Sequence, residues 1–216
     1  MIDLYTWGTP NGRKVSIMLE EVGLDYTVKP IDITGDDQFS DEFLAISPNN
    51  KIPAIVDHDN GSFALMESGA ILMYLAEKTG RLLPNDGAAK WRTVEWLMLQ
   101  MGGVGPMLGQ VHHFVKFNPD ASEYAATRYS SEAARLYGVL DKRLSDHEYL
   151  ADEYSIADIA TWPWISRFEW QQMDLNEYPD LKRWYLSIAQ RPAVQAGYHI
   201  PGFVQEIPMP EQGINP

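Results

Sequence analysis

The chain has 216 residues, of which 45% are apolar and 22% charged, so it can form one large domain or two smaller ones with buried cores. Its net charge of −13 and its lack of a Lys/Arg cluster argue against nucleic acids and anionic membrane surfaces as partners. No apolar run reaches the roughly 18 residues of a membrane span. The amino terminus shows no secretory signal pattern.

The sequence contains no cysteine, which excludes disulfides, thiolate metal sites and a thiol nucleophile supplied by the protein. Its five histidines do not have the spacing of a zinc site, and no metal is expected. Motifs of phosphate-binding loops, dinucleotide-binding folds and serine nucleophile elbows are also missing. Any thiol chemistry must therefore use a thiol that a ligand brings.

The first 80 residues alternate between strand and helix patterns, whereas the rest of the chain reads as helices. The predicted strands cover residues 2–5, 26–31, 54–57 and 63–65, and the predicted helices of this part cover residues 13–23 and 68–79. Asn60-Gly61 is a strong hairpin signal between the last two strands. A βαβ unit followed by ββα is the thioredoxin arrangement.

The expected fold class is therefore a thioredoxin-like α/β domain followed by an all-α domain. The predicted boundaries are 1–80 for the α/β domain, 81–88 for a linker, 89–200 for the helical domain and 201–216 for an extended tail. Four prolines in the last stretch indicate that the tail has no regular structure.

A Thr9-Pro10-Asn11-Gly12 turn opens the first predicted helix. Proline is favoured at the first helical position, which makes Thr9 the N-cap. Unpaired N–H groups and the positive end of the helix dipole would stabilise a thiolate there, and Thr9 and Asn11 could donate hydrogen bonds to it. Taken alone, the motif is more often a plain helix cap.

A Lys51-Ile52-Pro53 segment precedes the third predicted strand. Proline at the start of a strand indicates a tight turn, and bonds to proline can be cis. With a cis bond, the N–H and C=O of Ile52 would face outward and pair with an extended peptide, while Lys51 could meet a carboxylate. An ordinary edge strand with a surface lysine explains the same residues equally well.

Glu67-Ser68 opens a helix that is apolar nearly all round. Ser68 can offer its hydroxyl and backbone N–H to a carboxylate at the helix start, and Glu67 can hold an ammonium group. The pair suits an amino-acid head group. A helix start with an acidic residue in its first turn is the more frequent explanation of this motif alone.

Together the three motifs describe a ligand with a thiol, an extended peptide backbone, a carboxylate and an α-amino acid, and glutathione carries all four. The matching segments are residues 9–12 with Lys14, and residues 46–57, 67–72, 105–110, 113–114 and 154–159. On these segments the chain resembles cytosolic glutathione transferases almost end to end. More narrowly, it resembles the bacterial Nu-class or disulfide-bond oxidoreductase branch, which is related to a yeast prion-forming nitrogen regulator.

The resemblance implies residue roles at the sulfur and along the peptide. Thr9 and Asn11 would lie at the glutathione sulfur. Ile52, before a cis Pro53, would pair with the cysteinyl backbone.

The resemblance also implies how the two ends of glutathione are held. Lys51 with Gln38 would bind the glycyl carboxylate, and Glu67 with Ser68 would bind the γ-glutamyl end. The site would hold one or two glutathione molecules, or one glutathione disulfide. Arg128 and His113 would contact the second glutathione or the substrate. A cytoplasmic homodimer is expected.

Three functions remain open from the sequence. The leading hypothesis is reduction of a small disulfide by bound glutathione, with a second glutathione resolving the mixed disulfide. A second enzyme hypothesis is conjugation of glutathione to an electrophile, or peroxide reduction, with the same thiolate. The third is a non-enzymatic, glutathione-binding regulatory protein on the same fold.

Overall fold

The computed structural model describes residues 1–211, and these form two compact units. The first unit comprises residues 1–85 and 190–206, and the second comprises residues 86–189 and 207–211. The α-helices of the described chain are α1 Pro10–Val22, α2 Asp41–Leu44, α3 Ser68–Thr79, α4 Gly87–Leu99, α5 Gly105–Val111, α6 Glu123–Leu144, α7 Ile156–Ile165, α8 Pro179–Ala189 and α9 Pro192–Tyr198.

The first unit is built on a mixed four-stranded sheet with the order β2-β1-β3-β4. Its strands are β1 Ile2–Thr6, β2 Tyr26–Pro30, β3 Ala54–Asp57 and β4 Phe63–Met66. β1 and β2 run parallel and are joined through α1, whereas β3 runs antiparallel to both β1 and β4. The predicted βαβ unit and the predicted hairpin are both confirmed.

The helices of this unit begin and end where the local sequence signals predict. Thr9 is the N-cap of α1, and Gly23, with φ of 69°, ends that helix. Gly80, with φ of 66°, ends α3 in the same way. The all-round apolar pattern of α3 predicts burial, and Ile71, Leu72, Leu75 and Ala76 are buried, in a helix that packs on the sheet and α1.

The second unit is helical and contains no strand ladder within its described residues. Two π-helical turns, at Gln100–Val104 and His112–Phe117, flank α5. Trp162 and Trp184 are fully buried in its core. The thioredoxin-like α/β domain plus all-α domain, predicted as the fold class, is confirmed.

A capping box fixes the start of α7. Ser155 accepts a hydrogen bond from a backbone N–H of the first turn, and the Asp158 carboxylate accepts one from the N–H of Ser155. The same carboxylate accepts from the Trp184 indole at 2.8 Å and from the N–H of Leu150 at 3.0 Å. Burial raises the pKa of Asp158 to about 6, although these donors act in the opposite direction. The motif is structural, as its sequence indicates.

Near the carboxyl end of the chain, the boundary between the two compact units differs from the predicted domain boundary. Residues 190–206 pack with the first unit, whereas the sequence placed residues 89–200 together in the helical domain. Of the predicted tail, residues 201–211 have no regular secondary structure, and residues 212–216 lie outside the described residues. Ile207 is buried and the carbonyl of Pro208 accepts a hydrogen bond from Tyr185, so this part of the tail packs on the helical unit.

Along the part of the chain that the structure describes, no helix has both the length and the apolar character needed to cross a membrane. 

Candidate functional site

The strand register of the first unit gathers three chain segments at one end of the sheet. Tyr5 of β1 lies opposite Ala54 of β3, and Ala54 in turn lies opposite Met66 of β4. Because these pairings are antiparallel, β1 ends, β3 begins and β4 ends at the same edge. The loops attached to these three strand ends must therefore lie side by side.

Each of those loops carries one of the three motifs found in the sequence. The Thr9 turn follows β1, the Lys51-Ile52-Pro53 segment precedes β3, and Glu67-Ser68 follows β4. The motifs are up to 59 positions apart in the chain. The fold therefore brings together the thiol, peptide and head-group motifs on one edge.

Thr9 caps α1 as predicted. Its Oγ1 accepts a hydrogen bond from the backbone N–H of Gly12 at 3.2 Å, and its own N–H donates to the carbonyl of Trp7 at 2.7 Å. A hydroxyl that accepts one hydrogen bond still has a proton to donate. Asn11, in the first turn of α1, is half-buried. The turn is tight, because a Cβ on Gly12 would lie only 2.2 Å from the carbonyl oxygen of Trp7.

The segment before β3 has the cis Ile52–Pro53 bond that the motif suggests. Among the described residues, none forms a backbone hydrogen bond with the N–H or C=O of Ile52. Buried Ser47 holds the loop before Ile52 in place by two hydrogen bonds of 2.8 Å. Its hydroxyl donates to the carbonyl of Lys51, and its own carbonyl accepts from the N–H of Asn50. The Lys51 side chain is exposed to solvent.

The start of α3 places a charged residue and a hydroxyl next to each other. Glu67 is exposed and has φ of 70°, a conformation that non-glycine residues rarely adopt and that is frequent at functional sites. Ser68 is only 3% exposed. Its Oγ lies 3.3 Å from the ammonium of Lys14, which connects α3 to α1.

Lys14 lies beside Ser68 in the structure, and the sequence predicts no role for it. It is 1% exposed, and burial lowers the pKa of its ammonium to about 7, while the charge of Glu67 acts in the opposite direction. In the sequence it lies three residues after Asn11 and four before Met18, on the apolar face of the helix. The signal available was a lysine among the apolar residues of the first helix.

Gln38 lies in the one-turn helix Asp37–Phe39, outside the three converging loops. Its side-chain nitrogen contacts a carboxylate oxygen of Asp36 at 3.5 Å. Within residues 1–211, its buried side-chain oxygen has no hydrogen-bond partner. Its role at the glycyl carboxylate stays a prediction.

His113 and Arg128 belong to the helical unit, and both are exposed. The ring of His113 packs edge-on against Phe114, at 4.7 Å between centroids. Arg128 lies 3.9 Å from the carboxylate of Glu132, one turn further along α6. Their assignment to a second glutathione also stays a prediction. In the described chain, no cluster of three or more His, Asp or Glu side chains could hold a metal ion.

Two family models match the chain. The model described as "Glutathione S-transferase, N-terminal domain" matches residues 9–78, and the model described as "Glutathione S-transferase, C-terminal domain" matches residues 104–192. Together they cover more than half of the sequence. The first match includes all three motifs at the edge of the sheet.

Individual relatives agree with the family models. Disulfide-bond oxidoreductase YfcG of Escherichia coli is 52% identical over an alignment of 198 residues, and the alignment covers 89% of this chain and 92% of the relative. A glutathione transferase from Pseudomonas putida, solved with one glutathione disulfide bound per subunit, is 47% identical in sequence, with a TM-score of 0.89. The superposition covers 93% of this chain and 92% of the Pseudomonas chain. A glutathione transferase from Burkholderia graminis, solved with two glutathione molecules bound per subunit, is 44% identical, with a TM-score of 0.87. The superposition covers 93% of this chain and 88% of the Burkholderia chain.

Proposed function

The chain belongs to the glutathione S-transferase family, and we propose that it is a disulfide-bond oxidoreductase that uses bound glutathione as its thiol. One observation carries the proposal. In a chain without cysteine, the strand register gathers the Thr9 turn, Ile52-Pro53 and Glu67-Ser68 at one edge of the sheet. The name of the E. coli relative supports the same reaction.

In the proposed complex, glutathione lies across this edge as an extended tripeptide. The outward peptide groups of Ile52 pair with its cysteinyl residue, as an added strand would. Lys51, with Gln38, binds the glycyl carboxylate, while Glu67 and Ser68 bind the γ-glutamyl end. This arrangement directs the sulfur toward the start of α1.

At the start of α1 the thiolate form of glutathione is favoured over the thiol. The first backbone N–H groups of the helix and its positive dipole end stabilise negative charge. Thr9 keeps a hydroxyl proton to donate, and Asn11 offers an amide. A lower thiol pKa increases the fraction of the nucleophilic form at neutral pH.

The reaction then needs two thiol–disulfide exchanges. The bound thiolate attacks one sulfur of the substrate disulfide, forms a mixed disulfide and releases the other half as a thiolate, which takes up a proton. A second glutathione thiolate attacks the glutathione sulfur of the mixed disulfide. The products are glutathione disulfide and the second substrate thiol, so two glutathiones are oxidised for each disulfide reduced.

The proposed site holds two glutathiones or one glutathione disulfide, which is supported by the contents of the Pseudomonas and Burkholderia structures. Arg128 and His113 are proposed to contact the second glutathione or the substrate. No metal takes part in the proposed reaction.

The test is turnover of hydroxyethyl disulfide by the purified protein with glutathione, coupled to glutathione reductase. We expect a rate well above the uncatalysed exchange and a much lower rate with chlorodinitrobenzene in a conjugation assay. A disulfide rate equal to background contradicts the proposal. A conjugation rate far above the disulfide rate assigns the site to transfer of glutathione to electrophiles.

We also propose that the protein belongs to the Nu class, forms a homodimer and acts in the cytoplasm. The cytoplasm maintains the reduced glutathione that the reaction consumes. Dimer formation is supported by exposed apolar side chains, because Trp91 is 67% and Met98 47% exposed on α4. These two are seven residues apart and therefore share one face of the helix.

A further inference from the structure

The sulfur of Met66 lies beside the hydroxyl group that anchors the loop before β3. Met66 is the last residue of β4, and its Sδ is 3.9 Å from the Oγ of Ser47. Ser47 is completely buried, and its hydroxyl donates to the carbonyl of Lys51 at 2.8 Å. The Met66 side chain is half-buried. A residue outside the three motifs is therefore in contact with the anchor of one of them.

The Ser47 hydroxyl can serve only one strong acceptor, because it has a single proton. At 2.8 Å the Lys51 carbonyl takes that proton, and the thioether of Met66 is too weak an acceptor to compete for it. This hydrogen bond holds the peptide that leads directly into Ile52, whose N–H and C=O are proposed to pair with glutathione. The geometry of the glutathione-binding backbone therefore depends on the weakness of Met66 as an acceptor.

Oxidation of Met66 would change that balance. A peroxide transfers one oxygen atom to a lone pair of the sulfur, and its O–O bond breaks. The thioether is oxidised to a sulfoxide, while hydrogen peroxide is reduced to water. The sulfoxide is polar, and its oxygen is a strong hydrogen-bond acceptor. Next to the Oγ of Ser47, this oxygen competes with the Lys51 carbonyl for one proton, so the loop before Ile52 loses part of its anchor.

We propose that Met66 is an oxidation site at which peroxides weaken glutathione binding, through the Ser47 hydroxyl and the Lys51-Ile52 backbone. This inference rests on the proposed function, because it describes regulation of the same site. Met98 and Met209 are more exposed, at 47% and 54%, but both belong to the helical unit. Their oxidation leaves the Ser47 hydrogen bond unchanged. Met66 is distinguished by its neighbour and not by its exposure.

The experiment measures glutathione binding before and after treatment with hydrogen peroxide. The peroxide is removed by gel filtration, peptide mass spectrometry identifies the oxidised methionines, and calorimetry gives the dissociation constants. The proteins are the wild type, Met66→Leu and Met209→Leu. Leucine keeps the volume of methionine but cannot form a sulfoxide. Met209→Leu is the matched control, because it removes an exposed methionine of the helical unit.

We expect treated wild type and treated Met209→Leu to bind glutathione roughly 3- to 10-fold more weakly than before treatment, the usual effect of losing one hydrogen bond. Met66→Leu should keep its affinity under the same treatment, and methionine sulfoxide reductases should restore the affinity of treated wild type. The inference is wrong if treated Met66→Leu loses as much affinity as treated wild type, or if Met66 stays a thioether while Met209 is fully oxidised. Untreated wild type that does not bind glutathione contradicts the proposed function instead.

Ser47→Ala tests whether the effect passes through the hydroxyl. This variant lacks the hydrogen bond to Lys51 from the start, so it should bind glutathione about as weakly as oxidised wild type. Oxidation of Met66 should then weaken binding by less than about twofold, because the two changes act on one contact. A further loss of roughly 3- to 10-fold in oxidised Ser47→Ala overturns the inference.

If Ser47→Ala does not fold, Met66→Gln replaces it. The side-chain oxygen of glutamine is a permanent strong acceptor at the position of the sulfoxide. Untreated Met66→Gln should therefore show the weakened affinity without any peroxide, whereas untreated Met66→Leu should not. Full affinity of Met66→Gln for glutathione would show that an acceptor beside Ser47 does not affect the site.

Discussion

The guanidinium of Arg13 lies over the ring of Tyr198, with 3.6 Å between its central carbon and the ring centroid. The Arg13 Nε also donates to the Tyr198 carbonyl at 3.0 Å, across 185 positions of the chain. Ser16, one turn further along α1, donates to the carbonyl of Gly197 at 2.7 Å. The helix that begins at the thiol motif is therefore held in place by the last helix of the first unit.

Gly197→Ala should destabilise the protein, because a Cβ there would lie 2.7 Å from the backbone N and Cα of Ile17. We expect the free energy of unfolding in urea to fall by about 1–3 kcal/mol, the usual cost of overpacking. The matched control is Gly138→Ala in α6, where a Cβ would meet nothing within 4 Å. That change should stabilise by about 0.4–1 kcal/mol. Equal effects of the two changes would refute the close contact between α9 and α1.

Thr9→Val keeps the shape of the side chain but removes the hydroxyl that faces the proposed sulfur position. Loss of a hydrogen bond to a charged partner should lower kcat/KM for hydroxyethyl disulfide by roughly 10- to 100-fold. Thr9→Ser keeps the hydroxyl and should stay close to wild type. Coupled turnover assays of the three proteins make this comparison.

Thr9→Val also removes a helix cap, which costs about 1 kcal/mol, so a cap control is needed. Ser122 caps α6 by accepting from the N–H of Ala125 at 3.2 Å. Ser122→Ala should lower stability by a similar amount and leave turnover unchanged. If Thr9→Val is as active as wild type, the hydroxyl does not act on the sulfur.

His112 should make stability depend on pH below neutrality. Gln171 donates to its Nε2 at 3.1 Å, and burial together with the charge of Arg167 lowers the pKa of His112 to about 4 from 6.5. Between these two values the unfolded chain binds a proton that the folded protein does not. Stability should therefore be lost progressively as the pH falls from 6.5 toward 4.

A comparison with His112→Leu isolates this effect, because the buried Asp158 changes stability in the opposite direction over part of the same range. Urea unfolding should show that the wild type loses stability relative to His112→Leu as the pH falls through this window. Above about pH 7 the difference between the two proteins should be constant. A difference that does not change with pH would show that His112 is not held neutral.

Trp91→Glu and Met98→Glu should dissociate the proposed dimer, because each places a charge on the exposed apolar face of α4. Light scattering after size-exclusion chromatography should show twice the chain mass of 24.5 kDa for wild type and a single chain mass for the variants. Tyr124→Glu is the matched control, since Tyr124 is 82% exposed on α6 and outside this face. If the wild type elutes as a monomer, the proposed homodimer is wrong.

Much of the first unit could be predicted from local sequence signals. Pro10 after Thr9 gave the start of α1, and glycines at 23 and 80 gave the ends of two helices, because these residues act through the backbone of their own turn. The order of strands and helices predicts the thioredoxin arrangement, and the observed register of that arrangement gathers the three motifs. The site motifs were therefore recognisable before any contact was known.

Contacts between distant segments could not be predicted in this way. The sequence placed α9 with the helical domain, because nothing local to residues 192–198 shows that Gly197 fits against Ile17. Lys14 matches the family motif but receives no role from the sequence, for a related reason. Its burial depends on how α1 packs against α3. A lysine among the apolar residues of α1 is visible in the sequence, but its contact with Ser68 of α3 is not.

We propose that the protein uses the thiol of bound glutathione and activates it at the start of α1. The most direct measurement is the pKa of the bound glutathione thiol, followed by the ultraviolet absorbance of the thiolate as the pH is raised. We expect a pKa at least one unit below the roughly 8.5 of a free cysteine thiol, and a return toward the free value in Thr9→Val but not in Thr9→Ser. A bound thiol that titrates like free glutathione in the wild type would contradict it.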